Sequence, residues 1–364
     1  MKKEVYKQLL EVMKKRGGRF AGMDIPEFYE MVEELFTPEE AEVNNAMPSG
    51  LFKAKDMARQ MGRDKAKIKE ILEAMADKGL CWAINKDGTQ FYQSAKFIPG
   101  ILEFVMMPGK TTEKDKKIAR LMHAYRKAYI EKMKVTKPTF PTHRVITVDR
   151  FIETGNQIHT YDQMQTYIDK YKPIAVANCF CRHEAALRGE DTHDMPLDVC
   201  MQFGPGAQYA IERLGARNLT KKEAREVLDR AEEAGLIHLS QNRQDFTEDI
   251  DLNFICNCDR WHCGIVTRFL AQPKPGLFIN SGFEPRFDSD LCTACETCVE
   301  RCPPGALTMG DKDIPTVDLD RCFGCGVCAT GCPSEAIAMA NKPSFPEPPK
   351  DVRALQAAIK ASSK

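Results

Sequence analysis

Eight cysteines between residues 292 and 332 constrain this chain more than any other feature. They form two copies of one pattern, Cys292-x2-Cys295-x2-Cys298-x3-Cys302-Pro303 and, thirty residues later, Cys322-x2-Cys325-x2-Cys328-x3-Cys332-Pro333. Each copy runs on into Gly305-Ala-Leu307 or Glu335-Ala-Ile337, expected as a short strand. One half-module is therefore duplicated. Three thiols at this spacing wrap one side of a metal cluster, and the fourth ligand must come from elsewhere. The chain has 15 cysteines, an odd number, so they cannot all pair as disulfides. The N-terminus lacks an apolar signal core and reads as an amphipathic helix with Val5, Leu9, Val12 and Met13 on one face. Closely spaced cysteines without an export signal favour metal over disulfides and place the protein in a reducing cytoplasm, with an anaerobe as the expected source.

The duplicated run closely resembles the bacterial-type ferredoxin that carries two [4Fe–4S] clusters, over about sixty residues. In such ferredoxins the fourth cysteine of each run ligates the other cluster. The resemblance therefore implies one cluster held by Cys292, Cys295, Cys298 and Cys332, and a second held by Cys322, Cys325, Cys328 and Cys302. Gly324 and Gly326 would let backbone amides approach the sulfurs and raise the potential of the second cluster. The first run has Thr293-Ala294 and Glu296-Thr297 there, so its cluster is expected at the lower potential. Residues Glu284 to Arg321 hold nine acids and four bases. That face would steer docking of a partner or is simply solvated.

A second group of cysteines lies upstream: Cys179, Cys181, Cys200, Cys256, Cys258 and Cys263. Soft thiolates select iron–sulfur clusters or zinc. Beside a two-cluster module, a third iron–sulfur cluster on four of these six is the leading expectation, with zinc and free thiols as alternatives. Cys179 and Cys181 are expected at the exit of a strand over Pro173 to Ala177. Cys256 and Cys258 are expected just after a strand ending in Phe254-Ile255, and the two strands are expected side by side. His193 and His262 are candidate substitute ligands. This half of the chain resembles uncharacterised multi-domain iron–sulfur proteins of anaerobes known only by their dicluster ferredoxin domain. The residues that carry the resemblance are the Cys179-Phe-Cys181-Arg182 segment, Ile255-Cys-Asn-Cys258, and a preceding helix ending in Ala234-Gly-Leu236. Those relatives are richer in cysteine after the Ile-Cys-Asn-Cys segment, where this chain has Asp259-Arg-Trp-His262.

The 364 residues suggest several domains. The expected fold class is α+β multi-domain: a winged-helix-like N-terminal domain over 1–109, a mixed α/β Cys-rich central domain over 110–282, a ferredoxin-like dicluster domain over 283–341, and a Pro-rich tail with a short helix over 342–364. A breaker-rich linker, Gln272-Pro-Lys-Pro-Gly276, would end the central domain. In the N-terminal part, Lys55 to Gln60 and Lys65 to Lys78 read as helices. Leu80 to Ile84 and Gln90 to Tyr92 read as a hairpin around Asp87-Gly88. A DNA-binding version would present Lys65, Lys67 and Lys69. The stretch Ile71 to Leu80 echoes Val227 to Leu236, each a helix closed by glycine before a strand, and Thr220 with Glu223 predicts a capping box. Lys110 to Lys137 hold ten bases against three acids, with Tyr125 and Tyr129 between them. This reads as a solvated amphipathic helix, with docking of an acidic partner second.

No run nears the roughly 18 apolar residues of a spanning helix, and the formal net charge is zero. No dinucleotide fingerprint or P-loop is present. The leading expectation is a cytoplasmic electron-transfer protein working with a flavoprotein or larger oxidoreductase complex, with a homo-oligomer compatible. The alternatives are a redox enzyme whose central cluster binds substrate beside Arg182 and His183, and a redox-sensing winged-helix regulator that binds DNA.

Overall fold

The computed structural model describes residues 2–133, 140–154, 156, 163–244, 253–343 and 345–362. Lys134 and Lys137 of the basic stretch and Ser344 of the tail lie outside these. The chain divides into two compact units. One comprises Met1–Val135, Ala177–Thr192 and Pro205–Asn218; the other comprises Thr136–Val176, His193–Gly204 and Leu219–Lys364.

The first unit is mainly helical. Its opening helix, Lys2–Arg16, buries Leu9 and Met13, as the apolar spacing requires, while Val5 and Val12 are half-buried. Thr37 and Glu40 form a reciprocal cap that starts the helix Pro38–Ala46. Helices Ala54–Met61 and Lys65–Asp77 precede the paired strands Cys81–Lys86 and Thr89–Ser94. Lys86 pairs with Thr89 across a two-residue turn, and both turn residues, Asp87 and Gly88, have positive φ, as the tightest hairpin demands. Phe52 bridges Tyr92 on the hairpin's outer edge. Helix Lys65–Asp77 buries Ile68, Ile71, Leu72 and Met75. Tyr209 locks this layer by donating to the carbonyls of Ala76 and Cys81 at 3.0 and 2.8 Å.

The basic stretch forms the helix Glu113–Met133. Tyr125, expected among exposed bases, is instead buried: Phe28 and Phe97 surround its ring, and its hydroxyl donates to the Ala21 carbonyl at 2.7 Å. An aromatic on the apolar stripe of a helix gains more from burial than from solvent exposure.

The second unit is built on a sheet in which the strands His143–Ile146, Ile237–Gln241, Asn253–Cys258, Cys200–Phe203 and Ile174–Ala177 lie in that order, the first four pairing antiparallel with their neighbours in that series. Alternation divides its side chains. Ile146, Met201, Phe203 and Ile255 meet helices Met164–Lys170 and Lys221–Glu233 on one face. Val145, Ile237, Leu239 and Cys258 meet Val266, Phe269 and Phe323 on the other. Thr220 and Glu223 cap helix Lys221–Glu233 reciprocally, and Gly235 just past its end has φ 75°.

The eight-cysteine segment packs on that second face. Strands Phe283–Phe287 and Ile337–Asn341 pair antiparallel, as do Leu307–Met309 and Pro315–Val317. The segment Gln272 to Gly276, expected as a linker, is docked instead. Gly276 N–H donates to the Asp320 carbonyl at 2.7 Å, so closely that a β-carbon on Gly276 would lie 2.6 Å from the Cys322 carbonyl oxygen. The tail is anchored through Gln244 N–H to Pro349 O at 2.9 Å, and its helix, Val352–Ser362, buries Leu355.

Candidate metal centres

In each cysteine run the chain makes two left-handed turns and then enters a short helix, Thr297–Arg301 or Val327–Thr330. The turns fall at Ala294 and Glu296 in the first run and at Gly324 and Gly326 in the second, with φ between 55° and 80°. The first run thus reaches the same backbone shape without glycine. Glycine at 324 answers a different need: a β-carbon there would sit 2.2 Å from the Phe283 carbonyl oxygen and 2.4 Å from Ser281 Oγ.

The turns bring the sulfurs together around two cavities. The lining of one includes Cys292, Cys295, Cys298 and Cys332. The lining of the other includes Cys302, Cys322, Cys325 and Cys328. Each therefore draws three thiols from one run and one from the other. Backbone N–H groups point at the fourth thiols: Ala336 N to Cys332 Sγ at 3.3 Å, and Ala306 N to Cys302 Sγ at 3.2 Å. Gly324 N–H lies 3.4 Å from Cys322 Sγ.

The two cavities differ in environment. Cys295 is exposed, and hydrogen bonds from Thr297 and then Thr293 draw its thiol below the ordinary range. Around the second cavity, burial pushes the thiols of Cys302, Cys322, Cys325 and Cys328 up. Such thiols lose their protons only to a metal that replaces the lost hydration. Thr147 and Ser281 both donate to the Gly324 carbonyl, at 2.8 and 2.7 Å, and Val148 N–H reaches the Cys325 carbonyl at 3.3 Å. The sheet and the segment before the module thus hold the second loop from outside it. Four soft donors around each cavity, with amides aimed at sulfur, fit iron–sulfur cubes.

A family model described as a 4Fe-4S dicluster domain matches residues 280–336. Iron–sulfur clusters follow from that match, and with them a role in electron transfer. The dicluster domain covers less than a fifth of the chain. No curated protein and no solved structure matches the chain.

The upstream cysteines are placed partly as expected. Cys179 does stand just past the strand Ile174–Ala177, but as the residue before the helix Phe180–Leu187, which contains Cys181. Arg182 and His183 follow in that helix, Arg182 fully buried and the His183 ring 2.9 Å from the Lys110 carbonyl. Cys256 and Cys258 do not follow their strand; they belong to it, and strand Cys200–Phe203 separates it from Ile174–Ala177. Pairing of Met201 with Ile255 sets Cys200 opposite Cys256 one step further along the ladder. Hydrogen bonds with Cys200 and then Cys258 hold the Cys256 thiol well below its usual range, against burial, whereas Cys258, bonded to Cys256 and Cys263, is pushed well up. Cys200, Cys256, Cys258 and Cys263 therefore form one connected group within the second unit.

The two candidate histidines lie in the second unit beside the Asp259 turn. His193 stacks on Trp261 with centroids 4.2 Å apart, and His262 Nδ1 lies 3.2 Å from Asp259 Oδ2. Among the described residues, no three His, Cys, Asp or Glu side chains close around a single ion, the dicluster cysteines included. No described helix is long and apolar enough to cross a membrane.

Proposed function

We propose that this protein is an electron carrier in which Cys292, Cys295, Cys298 and Cys332 hold one [4Fe–4S] cluster and Cys302, Cys322, Cys325 and Cys328 hold a second. The observation that carries this reading is the pair of cavities, each walled by four thiols exchanged between the two runs. Bound cubes supply one-electron chemistry. The protein's own part is to fix the thiols, to aim N–H and O–H groups at sulfur, and to keep water from the second site while leaving the first accessible. A third cluster on the central cysteines extends the carrier. Its partner is a redox protein, a flavoprotein or an oxidoreductase complex, received at the exposed first site, whose lining includes Glu296.

Anaerobic iron and sulfide analysis with EPR tests the reading. The two-cluster assignment requires at least about eight irons per chain. Replacing Cys295 or Cys325 by serine should each perturb one of two distinguishable signals. Two serine variants that change the same signal would break the assignment.

A second reading rests on the first unit, where the helix pair, the hairpin and the Phe52–Tyr92 bridge suit a winged helix. Lys67 pairs with Glu70 at 3.5 Å, which tempers a basic face. A mobility-shift assay on oxidised and reduced protein tests DNA binding, and absence of a shift in both states removes this reading.

A further inference from the structure

The central cysteines carry more than an expectation of a third centre. The sheet's alternation puts Ile255 and Met201 into the core on one face. Cys256 and Cys258 therefore share the opposite face, two residues apart on one strand. The ladder brings Cys200 level with Cys256 on the neighbouring strand. Asn257, the residue between the two cysteines, secures that alignment: its Nδ2 donates to the Val199 carbonyl at 2.6 Å, and its Oδ1 meets His238 Nδ1 at 2.5 Å.

The fourth thiol arrives by a tight turn. The buried Asp259 carboxylate accepts from the N–H groups of Trp261 and His262 at 2.9 and 2.5 Å, and the chain returns to place Cys263 in the same buried cluster as Cys258. Elsewhere this face is filled by Val145, Ile237 and Leu239. Cys258 and Cys263 lie in the same buried layer as Phe323 and Cys325 of the second cluster site.

We infer that Cys200, Cys256, Cys258 and Cys263 are the four ligands of a third iron–sulfur cluster, placed against the second cluster site and not the first. This rests on the reading of a third cluster and adds which thiols hold it and which neighbour it faces. An all-sulfur donor set suits iron–sulfur clusters or zinc. The shared layer with Cys325 selects the redox centre, because a structural zinc gains nothing from that position.

The test uses the full chain, reconstituted without oxygen with iron and sulfide, and compares wild type with Cys256→Ser/Cys258→Ser and Cys179→Ser/Cys181→Ser. Wild type should hold about twelve irons and no stoichiometric zinc, and the 256/258 variant about eight with both ferredoxin signals retained. The 179/181 variant should keep about twelve. In fully reduced wild type, magnetic coupling should broaden the signal that Cys325→Ser perturbs and spare the one that Cys295→Ser perturbs; this readout stands even if the 256/258 variant fails to fold. About eight irons in wild type would remove the third cluster altogether. About twelve irons that fall in the 179/181 variant would overturn only the choice of ligands. Zinc in place of the additional iron, or coupling to the first cluster, would also overturn the inference.

Discussion

The two cluster sites share a backbone and differ in nearly everything around it. Both loops turn through left-handed residues at equivalent positions, yet the first uses Ala294 and Glu296 where the second uses Gly324 and Gly326. The second loop is pressed between Phe283, Ser281 and Val148, so a side chain at 324 has nowhere to go. The first faces solvent, and its non-glycine turns cost about 1 kcal/mol each without a clash. The two copies share a chain path, and glycine stands at 324, where Phe283 and Ser281 leave no room for a β-carbon.

The largest expected effect separates the copies by mutation. Gly324→Ala should destabilise the protein by about 2–4 kcal/mol through overpacking and left-handed strain. Glu296→Gly should stabilise it by up to about 1 kcal/mol. Anaerobic denaturant unfolding measures both, and equal effects would break the comparison. Next comes accessibility: under mild oxidant, the cluster at the exposed first site should be lost about tenfold faster than the buried one, because the surrounding apolar shell controls access. EPR followed in time should show two phases.

Thiol reactivity is a smaller but sharper contrast. In cluster-free protein, the lowered Cys295 thiol ionises at a pH below that of an ordinary cysteine, while the raised Cys325 thiol stays protonated well above it. Alkylation mapped by mass spectrometry should therefore begin at Cys295 as pH rises and reach Cys325 last, if at all. The smallest effect concerns potential. Glycine content alone places the first cluster lower. The structure instead gives that site hydroxyl donors from Thr297 and Thr293 and contact with water, both of which favour the more negative reduced state. The first cluster should lie higher by on the order of tens of millivolts, measurable by EPR-monitored titration.

Local signals were legible in the sequence. Thr220 and Glu223 fix the start of helix Lys221–Glu233 through their own hydrogen bonds, and Asp87-Gly88 dictates a two-residue hairpin. The cysteine runs are legible for the same reason, since a cluster imposes spacing on a short loop. Non-local pairing was not legible. Nothing near Cys200 announces that it stands opposite Cys256, because that depends on a ladder between distant segments. The same holds for Tyr125, whose burial depends on Phe28 and Phe97 far along the chain. The Cys256-Asn-Cys258 spacing already puts both thiols on one side of any strand; the strand runs past Ile255 to Cys258, so the thiols lie within it and not after it.

The docked turn at Gly276 bears on how the dicluster domain can be isolated. A fragment excised at residue 280, where the family match begins, would carry all eight ligand thiols. It would also sever the buttress from Gly276 to Asp320 and forfeit the Thr147 hydroxyl that secures the Gly324 carbonyl. Such an excised piece would hold the outer cube by its own loop and the inner one by a loop stripped of its scaffold.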